Sequence, residues 1–339
     1  MTDHHPPYEQ SASITPARTP STRRGKPARK RPSPGWIPNY HGAWAMITVP
    51  VLLGVILGGF VWEHLMLLGL WWVGYFAFFA TGMWLRSKRR ARYFPPVRAY
   101  VLGTVPFAIG VLVTAPYAVW WIPLFLPLIA TTVWASMNRK DRSMVNNIAT
   151  VGAAGLTLPV AYDIGTGGQG GLWGTGLLMD TLPHWPGLGS QGSDATLTAA
   201  ADTAFGALGS SDPTLISLAM FPGSSANGEL TGWLWTWLVT LVVAWYFLGT
   251  VFYVKTNIRE RGERGWLIAT TVFHGVGMVF VVALAAIGLF SWWLAALWVI
   301  IFLRALLVPI YGQREGWLSA KAIGIGEVVV SIALVFTIL

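Results

Sequence analysis

Nine runs of about 20 mostly apolar residues fill the chain from Ala43 to its end, near 43–62, 65–86, 97–115, 117–136, 144–163, 230–253, 266–290, 292–311 and 321–339. At a rise of about 1.5 Å per residue, a helix of that length crosses the roughly 30 Å of hydrocarbon in a bilayer. Inside lipid a helix satisfies its backbone polar groups within the segment itself, whereas an open strand does not. The pattern therefore predicts an all-α integral membrane protein, a bundle of about nine transmembrane helices. Composition agrees: the chain is 54% hydrophobic and 11% charged, with 20 Trp, too apolar for an ordinary soluble domain. The absence of Cys excludes a disulfide framework and any thiolate metal or redox centre.

The connections between the runs alternate in charge. One set is basic: Arg86 to Arg92, Asn138 to Arg142, Lys255 to Arg264 and Gln313 to Lys321. The other set carries acids and no Lys or Arg, with Glu63, Asp163, Asp180, Asp194, Asp202, Asp212 and Glu229. Because basic residues are retained on the cytoplasmic side, this alternation predicts a cytoplasmic N-terminus and, with nine spans, an external C-terminus. It places the chain in the bacterial cytoplasmic (inner) membrane as a multi-pass protein. The net charge of +9 sits in the tail and beside spans, where it meets anionic lipid headgroups, so nucleic acid is not expected as a partner.

Two segments lie outside the bundle. Residues 1–38 are rich in Pro, Ser, Thr and Arg, hold seven basic residues and lack large apolar runs, which predicts a disordered basic cytoplasmic tail. Arg23-Arg24 is followed by Arg29-Lys30-Arg31 and prolines rather than an apolar core, so a cleaved signal is not expected. Residues 39–339 form the membrane domain, with 164–228 as one long external loop. Within that loop Leu197, Ala200, Ala201, Ala204, Phe205 and Leu208 have helical spacing behind Ser193 and Asp194. Asp212-Pro213 suggests a second short helix.

An ionisable group at membrane depth is costly and is a functional candidate by default. Arg304 lies about seven residues from the cytoplasmic end of the eighth span, and Glu327 about six residues into the ninth, so both sit about 10 Å below the inner surface. An ion pair is the economical expectation. His274 lies on the same inner half of the seventh span, Asn146 and Asn147 open the fifth, and His41 opens the first. The outer halves are expected to be apolar or aromatic, with Tyr162 as an interfacial aromatic and Asp163 as an exposed carboxylate. Small residues at Gly54, Gly58, Gly152 and Gly155 allow close helix approach, and Gly152 to Gly155 is the expected seam. Prolines 50, 106, 123, 127, 159 and 309 are expected to kink their helices. The histidines lack metal-ligand spacing, and GTGGQGG does not stand between a strand and a helix. Neither a metal, a nucleotide loop nor another cofactor is expected.

The runs PNYHGAWAM (Pro38 to Met46) and YVKTNIRERG (Tyr253 to Gly262), with VNNIATVGAAGLTLPVAY (Val145 to Tyr162) and the IGIGE run ending at Glu327, resemble the YwiC-like family of bacterial membrane proteins. That family implies no activity. Nine spans with a cytoplasmic N-terminus also resemble, more loosely, the UbiA-type intramembrane prenyltransferases. Those enzymes carry Asp-rich motifs after the second and sixth spans, where this chain has Arg clusters. Arg and Lys supply no oxygen ligands for Mg²⁺, so the metal chemistry is not expected here.

The residues point to a cavity open to the cytoplasm, lined by His41, Asn146, His274, Arg304 and Glu327 with Lys255 and Arg259 at its mouth. Arg forks match phosphate oxygens, so the expected ligand is an anionic lipid or a phosphorylated amphiphile. Two alternatives stand beside it: a small-solute or proton-coupled transporter, and a membrane anchoring or assembly factor. The sequence names neither a reaction nor a protein partner.

Overall fold

The computed structural model describes residues 35–38, 41–175 and 223–339. Most of the basic tail, and the two helices expected around Leu197 and Asp212, lie outside the described residues. Among the described residues nine α-helices follow in order: α1 (His41–Gly58), α2 (Glu63–Arg86), α3 (Phe94–Thr114), α4 (Ile122–Met137), α5 (Met144–Gly165), α6 (Gly232–Val254), α7 (Arg264–Ala286), α8 (Trp292–Glu315) and α9 (Ala320–Ile338). Among the described residues there is no strand, only a lone antiparallel bridge between Ser224 and Thr231. The helices from α2 to α9 are long and apolar enough to cross a membrane, α4 when taken with the turn before it as Pro116–Met137, while the apolar stretch of α1 is shorter, Ala43–Gly58. The expected all-α membrane bundle is what forms.

Local chemistry sets the helix ends. Ser143, Ser291 and Ser319 stand in extended backbone before α5, α8 and α9, and each hydroxyl accepts from the amide three residues on, which satisfies a donor the first turn leaves free. The first span ends at Gly58 rather than at 62, because Gly59 adopts φ +84, a left-handed stop that suits glycine. Gly288 at φ +81 lies just beyond the end of α7 in the same way. Five of the six prolines lie inside helices that continue through them. Pro123 instead falls in the first turn of α4 after a 3₁₀ turn, Pro116–Trp121, where its missing N–H costs nothing.

Helix α5 is the central post, with 67% of its most apolar stretch buried against 11% in α2. On one side it meets α1 and α6, in a core around Leu53, Leu158, Val243, Phe247, Trp298 and Leu334 that α8 and α9 also enter. On the other it meets α2 and the 3₁₀ turn around Leu67, Tyr117, Trp121 and Val160. The close seam is Gly54-x-x-x-Gly58 of α1 against α5: a methyl at Gly54 would overlap the Leu158 carbonyl, and one at Gly58 would stand 2.7 Å from the Tyr162 carbonyl oxygen. The expected seam at Gly152 to Gly155 is looser, since methyls there would meet Leu128 at 3.6 Å and Ala244 at 3.4 Å, ordinary contact distances.

The two classes of connection gather at opposite ends. At the basic end Arg86 lies 3.8 Å from Asp141 and Arg261 donates to the Leu318 carbonyl. At the other end Trp173 donates to Trp120, and Ala226 to Leu289.

Candidate functional site

The stripe Tyr246, Thr250, Tyr253, Asn257 has spacings of four, three and four, so all four residues share one face of α6 and its extension. That face is turned toward α8 and α9. Arg304 of α8 meets Glu327 of α9 with Nη1 2.8 Å from Oε1, so the expected ion pair is present. Thr250 donates to Glu327 Oε2 at 2.8 Å and the Tyr246 hydroxyl to the same oxygen at 3.3 Å. Ser331, one turn along α9, donates back to the Glu327 carbonyl at 2.7 Å and shares a hydrogen bond of 3.0 Å with Tyr246. The Arg304 guanidinium lies over the Tyr253 ring at 4.3 Å. Its Nε and Nη2 are buried without a hydrogen-bond acceptor. A carboxylate with two hydroxyl donors on Oε2 and its counter-charge on Oε1 is a lock between helices, because the attraction in low dielectric offsets the desolvation of both ions only when geometry and hydrogen bonds are good.

The other candidates do not join this lock as walls of an open chamber. Glu327 is 2% exposed and His274 3%. The His274 Nδ1–H donates to the Thr270 carbonyl at 2.7 Å, and Nε2 faces Gly249, where a methyl would approach it to 2.9 Å. Asn146 turns to the 138–142 connection and donates to the Asp141 carbonyl at 2.7 Å. Past α6 the chain widens into a π-helical turn, Lys255–Arg259, a local feature often found where backbone is adjusted for a role. Lys255 is buried with Nζ over Trp266 at 4.7 Å, so it is not a mouth residue, whereas Arg259 is exposed. His41 opens α1, and its side chain lies outside the described residues.

The expectation of apolar outer halves is overturned at the opposite end. Asp163 is 3% exposed, not solvent-facing. Its Oδ2 accepts from the Trp121 indole at 2.8 Å, and its Oδ1 is buried without a partner. His64 is fully buried. Its Nδ1 accepts from the Val61 amide at 3.0 Å, so its Nε2–H donates to the Ala161 carbonyl at 2.8 Å. Glu63 is buried beside it, and Trp233 stacks on Trp121 and meets Tyr162 edge to face. No one-dimensional signal separates a carboxylate one turn inside a helix end from one in the following loop.

Of the seven candidates, none of the six with described side chains lines either of two cavities. One, about 440 Å³, lies at the non-basic end among Ser224, Ser225, Trp235, Ser291, Phe336 and Thr337. The second, about 380 Å³, lies at the basic end where α2 gives way to α3, among Trp84, Arg89, Ala91, Phe94, Pro95 and Arg98. Cations at this end rest repeatedly on aromatic faces: Arg89 on Trp84 at 6.0 Å, Lys140 on Trp134 at 5.2 Å and Arg261 on Trp317 at 5.5 Å. Among the described residues no cluster of three or more His, Asp or Glu could hold a metal ion.

Residues 37–162, the stretch that holds the HGAWA and VNNIATVGAAG elements, match the family described as YwiC-like protein. It is 26% identical over 238 residues to the uncharacterized protein YwiC of Bacillus subtilis, covering 70% of this chain and 73% of that one. It is 25% identical over 249 residues to an uncharacterized protein of Haemophilus influenzae, covering 73% and 78%. No solved structure matches. The looser likeness to the UbiA-type enzymes gains no support from these comparisons.

Proposed function

We propose that this YwiC-like multi-pass membrane protein binds an anionic lipid or a phosphorylated amphiphile at its basic end, in the bacterial inner membrane. The observation that carries the reading is the imbalance of charge there. Among the described residues only Arg86 and Arg304 have a carboxylate within ion-pair distance. The exposed cations at this end, among them Arg89, Arg98, Arg139, Arg142 and Arg259, thus keep their guanidinium forks for an outside oxyanion. Their aromatic neighbours belong at the depth where headgroups lie. The buried lock of Arg304, Glu327, Tyr246 and Thr250 then holds α6, α8 and α9 beneath that surface, which favours a rigid binding protein over a moving transport path.

The test is native mass spectrometry of the full chain from nanodiscs holding equal phosphatidylglycerol and phosphatidylcholine. Anionic lipid should be retained preferentially, and the preference should shrink as salt screens the exposed cations. Equal retention of the two lipids at low salt overturns the reading.

A further inference from the structure

We infer that the groove between the end of α2 and the start of α3 is a seat for one anionic phospholipid, its phosphate held by Arg89 and Arg98 and one acyl chain lying along α3. The inference rests on the anionic-lipid reading above and gives it a place.

The connection after α2 is built to present Arg89. Lys88 and Arg89 both adopt left-handed backbone, at φ +59 and +58, which is unfavourable for side-chain-bearing residues. Strain of this kind persists only where the surroundings enforce it. Here the Arg89 amide donates to the Trp84 carbonyl at 3.0 Å, the Ser87 hydroxyl donates to the same carbonyl at 2.7 Å, and the Arg90 amide donates to that hydroxyl. The turn folds the Arg89 guanidinium back over the Trp84 ring. Arg98 reaches the same groove from the second turn of α3. Neither arginine has a carboxylate within ion-pair distance among the described residues.

Beside the two cations the groove is lined by Trp84, Ala91, Phe94 and Pro95, and an exposed apolar stripe of α3 leads away from it. Phe94, Arg98, Leu102, Val105, Ile109 and Leu112 follow at spacings of four, four, three, four and three, one face of α3. Every apolar member of that stripe is exposed, from 43% at Phe94 to 63% at Leu102. From Phe94 to Leu112 the stripe runs about 27 Å at 1.5 Å per residue, the depth of the hydrocarbon core. A volume of about 380 Å³ suits a headgroup and the first methylenes, while the stripe takes the rest of a chain. A soluble phosphate would use the two arginines and leave the stripe without a partner, so the lipid is the occupant that fits both halves.

The experiment measures retention of phosphatidylglycerol against phosphatidylcholine in the full-length protein by native mass spectrometry, with a displacement arm using inorganic phosphate. Arg89→Ala/Arg98→Ala should lower phosphatidylglycerol affinity at least about tenfold, roughly the effect of 1.4 kcal/mol. Arg139→Ala/Arg142→Ala, which removes the same charge from another connection, should change it less than about twofold. Arg89→Lys/Arg98→Lys keeps the charge but loses the fork and should fall between the two. If the wild type prefers phosphatidylglycerol and the 89/98 pair loses nothing relative to the 139/142 pair, the seat is wrong while the broader reading stands. A wild type without lipid preference ends both. Millimolar inorganic phosphate that displaces the lipid completely makes this a free-anion site and overturns the role of the α3 stripe.

Discussion

Trp121 and Asp163 form a buried pair at the end of the bundle that carries no Lys or Arg in its connections: the indole Nε1–H donates to Oδ2 at 2.8 Å, and the carboxyl is 3% exposed. The 3₁₀ turn Pro116–Trp121 brings the donor to the last turn of α5, so one hydrogen bond ties the entry of α4 to the central helix. A polar group buried there gains more from this partner than a solvated one would.

Trp121→Phe keeps the ring stacking near Trp233 but removes the donor, leaving both carboxyl oxygens unpartnered. It should destabilise the protein by about 1–3 kcal/mol. Asp163→Asn keeps an acceptor for the indole and should be close to neutral. Thermal unfolding of the two variants in the same detergent checks the order; equal losses would show that the hydrogen bond is not what matters there.

The Arg304–Glu327 lock gives an asymmetric pair of variants. Arg304→Ala leaves a carboxylate that is 2% exposed with only hydroxyl partners, and loss of one member of a buried ion pair typically costs about 3–5 kcal/mol. Glu327→Gln keeps an amide oxygen for Thr250 and Tyr246, and Arg304 stands near enough to the basic end to extend toward it. Its cost should be nearer the 0.6 kcal/mol or so typical of polar contacts between membrane helices. A larger loss for Glu327→Gln than for Arg304→Ala would refute this account.

Helix approach at the centre should be sensitive at Gly54 and tolerant at Gly152. Gly54→Ala drives a methyl into the Leu158 carbonyl, whereas Gly152→Ala places one 3.6 Å from Leu128. Overpacking of the first kind costs about 1–3 kcal/mol. The second should be neutral or slightly stabilising, since alanine is the better helix former by about 1 kcal/mol. Folded yield and melting temperature read both directly.

The orientation inferred from charge is tested by reporter fusions after Arg90 and after Gly168. Activity that requires the cytoplasm is expected only at the first, and activity that requires the exterior only at the second. The same side for both would break the nine-span topology.

By itself the sequence determined the membrane class, the nine apolar helices among the described residues, the charge of each end and the ion pair. Those follow from one-dimensional quantities: the length of an apolar run, the charge of a connection, and the depth of Arg304 and Glu327 counted in residues. It also marked Gly54 and Gly58 as places of close approach. Tertiary structure decided what those depths are surrounded by. Tyr246, Thr250 and Ser331 close on Glu327 because of how α6 and α9 are rotated, so the ion pair is packed among hydroxyls. The turn at Lys88 and Arg89 places a cation over Trp84, although nothing in RSKRRAR distinguishes that arginine from its neighbours. Burial of Asp163 and His64 likewise depends on which helix covers an end. Contacts across many residues fix that, and hydropathy, which sums over neighbours in sequence, does not register them.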